Sequence, residues 1–258
     1  MHPDLFGIKG FSMVVMILLG FIFATILLFI YLHYRKVDKS CYLDVLLIIA
    51  GTALMGMIGA ILFENLYEAI KSSIYHTNLK WTWGMTFYGG LILGVPTFVL
   101  IYKFYFLRHN SPIMDKVLII APASITLGHA IGRIGCFLSG CCYGVDTDSS
   151  IGILFPGHDH KVLPTQLIEC AFLLLLSACL IYLAFKRNFS FNFVIYMVFY
   201  GIFRFIIEFF RGDERGQLNG LSPSQYWCIV LVILAVPLCF FLKNYYVKKV
   251  EENNHNEI

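Results

Sequence analysis

A chain of 258 residues that is 59% hydrophobic and only 14% charged, with a mean hydropathy of +0.75, has too little polar surface to enclose a core in water. A net charge of +3 gives no reason to expect a nucleic-acid partner. Runs such as AFLLLLSACLIYLAF are apolar on every face and lack the alternation of barrel strands, so an outer-membrane barrel is excluded and an all-α polytopic membrane protein remains.

In chain order the apolar stretches are 11–33, 43–66, 85–106, 117–138, 165–185, 191–210 and 224–242, each near the ~20 residues that a helix needs to cross ~30 Å of hydrocarbon. They predict seven transmembrane helices. The first is too long for a cleaved signal peptide and has no small-residue cleavage site, so it reads as a retained span. Arg35, Lys36 and Lys39 follow it, Lys103, Arg108 and Lys116 flank the third connection, Lys186 and Arg187 fill the fifth, and Lys243, Lys248 and Lys249 follow the last span. The opposite side holds Lys9, Lys71, Lys80, Lys161, Arg211 and Arg215. That excess predicts an outside N-terminus and a cytoplasmic C-terminus. Residues 1–250 then form a single transmembrane domain whose longer connections, 67–84, 139–164 and 211–223, face outward. The polar residues 251–258 read as a disordered cytoplasmic tail.

The fourth span carries His129 and Arg133, four apart and so on one face, followed by Cys136, Gly140, Cys141 and Cys142. Arginine at membrane depth is expensive and marks a functional site by default. Gly128, Gly132 and Gly135 on the same helix suit close helix packing. The fifth span opens on Leu163-Pro-Thr-Gln166-Leu-Ile-Glu169, with Pro164 suited to a first helical turn. Gln166 and Glu169 share a face there, and Glu169 is open to an interfacial or a catalytic reading. On the sixth span Tyr200, Arg204, Glu208 and Arg211 are spaced to form one polar stripe. An Arg204–Glu208 pair is its structural reading, but arginines on two spans, with a third at the outer end of one, favour a site for an anion. Guanidinium forks suit phosphate, and a phospholipid head group is the phosphate available at that depth.

Five segments in order resemble the bacterial prolipoprotein diacylglyceryl transferase family. Gly132-Arg-Ile-Gly-Cys-Phe-Leu-Ser-Gly140 is similar to the family's GRxGNFxNGE signature, and Met85-Thr-Phe-Tyr-Gly-Gly-Leu91 to MSFHGGL. Leu163–Glu169 resembles HPSQLYE, Tyr200–Arg211 resembles YGxFRFxxEFxR, and Leu221-Ser-Pro-Ser-Gln225 resembles LSxGQ. The resemblance implies a multi-pass enzyme of the bacterial inner membrane. Such an enzyme moves diacylglycerol from phosphatidylglycerol to the lipobox cysteine thiol in the signal peptide of a preprolipoprotein, releasing glycerol 1-phosphate, with no metal or other cofactor. It further implies that Arg133 and Arg204 clamp the phosphate, Glu208 orients Arg204, Arg211 supports the clamp at the rim, and Gly132, Gly135 and Gly140 let backbone and lipid approach. Cys136, Cys141, Gln166 and Glu169 would join them in binding substrate.

The chain departs from the family pattern at chemically important places. Tyr88 stands where MSFHGGL has His, Cys136 and Cys141 stand where the signature has Asn and Glu, and the family's first-span Tyr is Phe11 here. A phenol is a poorer base than imidazole near neutral pH, which makes His129 a substitute candidate beside its reading as a packed residue. For the thiols three readings stand: a Cys136–Cys141 disulfide, permitted in an outer compartment; a thiolate beside Arg133; or a zinc site with His158 or His160, although the spacing is not a usual metal pattern. Two other functions stay open, a membrane thiol–disulfide oxidoreductase using Cys136, Cys141 and Cys142, and a non-catalytic lipid-binding relative.

Overall fold

The computed structural model describes residues 11–76, 78, 81, 87–109, 113–156, 158–213 and 220–255. Its seven long helices are α1 (Phe11–Tyr34), α2 (Tyr42–Tyr75), α3 (Phe87–His109), α4 (Ile113–Leu138), α5 (Thr165–Arg187), α6 (Asn192–Ile207) and α7 (Pro223–His255). Six are long and apolar enough to cross a membrane; in α3 the apolar stretch is the shorter Ile92–Lys103. The protein is therefore an all-α polytopic membrane protein. Helix α7 runs to His255, through most of the tail expected to be disordered. Lys248, Lys249, Glu251 and Glu252 are good helix formers that continue an established helix, where no nucleation cost remains.

The chain divides into two compact units, Met1–Arg35 with Asp115–Ile258, and Lys36–Met114. In the smaller unit α2 packs on α3 along glycines. A Cβ at Gly90 would lie 3.3 Å from the Gly56 carbonyl oxygen, and backbones this close replace the hydrophobic driving force that lipid does not provide.

In the larger unit α1 meets α4 at the same kind of contact, since a Cβ at Gly20 would fall 2.6 Å from the Gly128 oxygen. Polar side chains join the other helices. Buried Asn192 at the start of α6 donates to Ile119 O of α4 at 2.8 Å and to Leu180 O of α5 at 3.3 Å. Ser177 of α5 donates to Ala123 O of α4 at 3.0 Å. Large apolar side chains such as Leu175, Ile233, Phe240 and Phe241 are exposed, while Thr165, Gln166, Glu169 and Asn192 are fully buried. Lipid as the outer solvent produces this inversion.

Between α4 and α5 the chain forms a small cap. Strands β1 (Ile153–Leu154) and β2 (Lys161–Val162) pair antiparallel, Ile153 opposite Val162. Gly144 N and Leu163 O lie 2.8 Å apart, and Leu163 N and Val145 O 3.0 Å apart. The cap is fastened to the end of α6 by a bridge between Gly144 and Arg211 and by the bond from Val145 N to Phe210 O.

Candidate functional site

Glu169 is the hub. The first turns of α5 place it with no solvent exposure, where an unpaired carboxylate would be prohibitive. Its Oε1 lies 2.9 Å from Arg133 Nη2 and 3.8 Å from His129 Nε2, and accepts a hydrogen bond from the Tyr200 hydroxyl at 3.1 Å. The His129 ring meets the Tyr200 ring edge-on at 5.2 Å. Three helices thus converge on one carboxylate, and Arg204 acts on the same charge. Glu169 does not reach out to solvent: the Thr165–Glu169 turn points into the protein, where Arg133 compensates the charge.

One step along α6, Arg204 Nη1 meets Glu208 Oε2 at 2.6 Å. Glu208 in turn accepts a bond from the Ser222 hydroxyl at 2.8 Å. Ser222 is itself held by Gln225, whose Oε1 accepts from Ser222 N at 2.9 Å. The Arg204–Glu208 pair expected from the sequence is present. Ser222 was missed as its partner, although it lies in the Leu221–Gln225 segment, because nothing in sequence spacing links it to Glu208.

Arg211 departs from the expected stripe. Helix α6 ends at Ile207 and tightens into a 3₁₀ turn over Glu208–Phe210, after which Arg211 is extended with φ −80° and ψ 138°. Its side chain, 3% exposed, is buried rather than at a rim, and it forms a two-pronged pair with Asp213, Nε and Nη2 each at 2.7 Å. Counting the stripe at helical spacing fails here because the bridge to Gly144 takes the backbone out of the helix.

The pairing leaves donors over. Among the described residues Arg133 Nε and Arg211 Nη1 are buried and make no hydrogen bond, whereas Arg204 Nη1 is engaged by Glu208 Oε2 at 2.6 Å. Buried guanidinium nitrogens without acceptors are costly, and an anion with several oxygens satisfies them. Gly132, beside Arg133, adds space: a Cβ there would meet nothing within 4 Å among the described residues, whereas one at Gly135 would strike Met16 at 2.9 Å. Gly135 is a packing glycine and Gly132 faces an opening.

The thiols owe their position to how α4 ends. Gly140 takes φ +68°, Cys141 N bonds to Cys136 O and Gly140 N to Phe137 O, both at 3.1 Å, which is the Schellman arrangement. That reversal returns Cys141 over Cys136. Cys142 follows with φ +65°, a left-handed conformation costing a non-glycine residue about 1 kcal/mol. The sulfurs of Cys136, Cys141 and Cys142 then lie within 4.8 Å of one another. Hydrogen bonds from the Cys136 and Cys141 thiols, with Arg211 beside them, hold the Cys142 thiol well below its ordinary range, while bonding to Cys136 and Cys142 pushes Cys141 up.

No disulfide joins Cys136 to Cys141, and Cys142 likewise forms none. Nor does His158 or His160 complete a metal set with them; His158 packs edge-on against Tyr143 at 4.4 Å. Gln166 is a strut, donating from Nε2 to Cys141 O at 2.6 Å, as Thr165 does to Cys142 O at 2.8 Å. Tyr88 falls in the first turn of α3, and its side chain lies outside the described residues.

Residues 5–241 match the family model for prolipoprotein diacylglyceryl transferase. The chain is 34% identical over 245 residues to the phosphatidylglycerol–prolipoprotein diacylglyceryl transferase of Clostridium tetani, covering 90% of this chain and 93% of that one. It is 32% identical over 239 residues to phosphatidylglycerol–prolipoprotein diacylglyceryl transferase 2 of Clostridium perfringens, at 89% and 90% coverage. With the protein of that name from Rickettsia bellii it shares 34% over 199 residues, at 74% and 73% coverage.

Proposed function

The chain belongs to the prolipoprotein diacylglyceryl transferase family, and on that premise we propose how its residues divide the work. It is a transferase that moves the diacylglyceryl group of phosphatidylglycerol to a prolipoprotein. The acceptor is the lipobox cysteine thiol, and the reaction takes place at the outer face of the bacterial cytoplasmic membrane, with the N-terminus outside. In the reaction the sulfur forms a bond to the glycerol carbon that carries the phosphate. The carbon–oxygen bond to phosphate breaks, its electron pair leaving with glycerol 1-phosphate, and the thiol proton passes to a base.

The observation that carries this reading is the pair of buried guanidinium nitrogens without acceptors among the described residues, Arg133 Nε and Arg211 Nη1, beside the buried Arg204–Glu208 pair. Negative charge grows on the departing phosphate, and preorganised donors in a site shielded from water stabilise that growth more than they stabilise the bound lipid. Glu169 and Glu208 hold the two membrane arginines in position, with Tyr200 and Ser222 orienting the carboxylates. His129, beside Glu169, is the proton acceptor on α4. The opening at Gly132 admits the lipid next to Arg133.

Incubating the purified protein with phosphatidylglycerol and a lipobox peptide tests the assignment, with the diacylglyceryl thioether read by mass spectrometry. Thioether formation is expected, with equimolar glycerol 1-phosphate. A protein that binds phosphatidylglycerol but yields no thioether is a lipid-binding relative instead. Disulfide exchange that survives Arg133→Ala but not Cys142→Ser would mark an oxidoreductase.

A further inference from the structure

Cys136, Cys141 and Cys142 take no part in the ion pairs of the clamp, yet two of them meet its arginines. Arg211 hydrogen-bonds to the Cys142 sulfur, and Arg133 Nη1 lies 4.0 Å from Cys136 Sγ. The three sulfurs sit within 4.8 Å of one another. Cys142 is held there in a left-handed conformation, φ +65°, which a non-glycine residue keeps where its surroundings over-determine it, commonly at functional sites. Sulfurs that face guanidinium groups are suited to negative charge, and a thiolate beside a cation is the reactive form of cysteine.

The three thiols are not equivalent. Cys142 is partly exposed and Cys136 is buried, while Cys141 directs its thiol to Cys136 O at 3.6 Å. Consecutive Cα atoms lie about 3.8 Å apart, under the roughly 4.4 Å that a relaxed disulfide needs, so Cys141 is a poor partner for its neighbour Cys142. Cys136 is the remaining partner. From within 4.8 Å its sulfur has to approach that of Cys142 by no more than about 3 Å to reach bonding distance. A thiolate reachable from solvent, with a second thiol poised next to it, is the arrangement of an oxidant-sensitive cysteine.

We propose that Cys142 is a modification site for hydroperoxides, that Cys136 resolves its oxidised form as a disulfide, and that this bond tightens the anion clamp by taking a negative sulfur away from Arg211. The proposal deepens the transferase reading and rests on it for the identity of the anion. In the first step the Cys142 thiolate attacks one peroxide oxygen; the O–O bond breaks, Cys142 becomes a sulfenic acid and hydroxide leaves. The Cys136 sulfur, steadied by Arg133, then attacks Cys142, the S–O bond breaks, and the departing hydroxide takes the Cys136 proton as water. Two sulfurs are oxidised and one peroxide is reduced. The disulfide carries no charge, so Arg211 is less neutralised, and a dianion gains more from that than a phosphodiester with one charge. Glycerol 1-phosphate is the dianion, so oxidation holds the product longer than it holds phosphatidylglycerol and slows the enzyme at product release.

The experiment treats the full chain, reduced and in detergent micelles, with stoichiometric hydrogen peroxide and maps the thiols by mass spectrometry. In the unmutated protein, where misfolding of a variant is no concern, a Cys136–Cys142 disulfide should form, roughly 10-fold faster than Cys41 or Cys179 is oxidised, because an ordinary thiol is only a few per cent ionised near pH 7. In Cys136→Ser the sulfenic acid should persist on Cys142 and be trapped by dimedone. Oxidation should lower the inhibition constant of glycerol 1-phosphate about 10-fold, the scale of one charge removed beside a dianion, and a dithiol should restore it. Cys142→Ser should lose that response to peroxide and Cys179→Ser should keep it. Oxidation spread evenly over the cysteines, or no Cys136–Cys142 bond, overturns the site. A disulfide that leaves glycerol 1-phosphate inhibition unchanged or weakens it overturns the link to the clamp. Reduced protein that forms this disulfide on treatment but never makes thioether counts against the transferase reading instead.

Discussion

Two regions of the larger unit hold arginine by opposite means. At the end of α1, half-buried Arg35 donates from Nη2 to the Asn188 side chain and, at 3.3 Å, to Ala184 O, and from Nε to the Tyr31 hydroxyl at 3.1 Å. Its guanidinium also stacks over the Tyr31 ring at 5.3 Å. These acceptors are neutral, and Ala184 O is one of the carbonyls left over where α5 ends. Arg133, Arg204 and Arg211 are instead paired with carboxylates, and Arg133 Nε and Arg211 Nη1 remain buried without acceptors among the described residues. The first arrangement caps a helix end and ties α1 to α5. The second leaves donors for the anion proposed above, so what separates the two regions is whether the guanidinium donors are used up.

The largest effect expected from this contrast is at the clamp. Arg133→Ala and Arg204→Ala should each lower thioether formation by about 10²–10³-fold. Lysine at either position should rescue poorly, because the planar fork is lost. Full rate in both alanine variants would dissolve the distinction between the two regions.

Glu169→Gln should come next. Removing the carboxylate charge leaves Arg133 buried without its counter-ion, an effect of about 3–5 kcal/mol, so thermal denaturation should show a marked fall in Tm together with a fall in kcat. Retention of wild-type stability would mean that Glu169 does not carry the pair. Gly132→Ala should separate binding from folding: alanine raises helix propensity by about 1 kcal/mol and its Cβ meets no atom of the described residues within 4 Å. Tm should hold or rise while KM for phosphatidylglycerol increases several-fold.

Arg35→Ala should be the mildest. Loss of its bonds should cost about 1 kcal/mol, visible as a small drop in Tm with unchanged kcat. A kcat loss equal to that of Arg133→Ala would show that the α1–α5 tie is not merely structural.

Several site residues were legible because local spacing carries them. Arg204 and Glu208 pair four residues apart on one helix, and the glycines of α4 announce close approach, although only the neighbours divide packing Gly128 and Gly135 from open Gly132. Partners distant in sequence were not legible. Ser222 reaches Glu208 and Tyr200 reaches Glu169 only because α5, α6 and α7 fold together. Arg211 was misplaced on the helical stripe because a 3₁₀ turn and a bridge to Gly144 intervene.

The amino-acid sequence by itself determined that this is a helical membrane protein, that Arg133 and Arg204 lie within its apolar segments, and to which family it belongs. Those properties follow from hydropathy, from the cost of charge in lipid and from the order of short motifs, all local or additive along the chain. Only the tertiary structure decided that Glu169 is the hub, which guanidinium donors stay open, and that three thiols share one cluster. A buried charge selects its partner in three dimensions, and a left-handed turn of two residues changes which side chains meet without changing the hydropathy that precedes it.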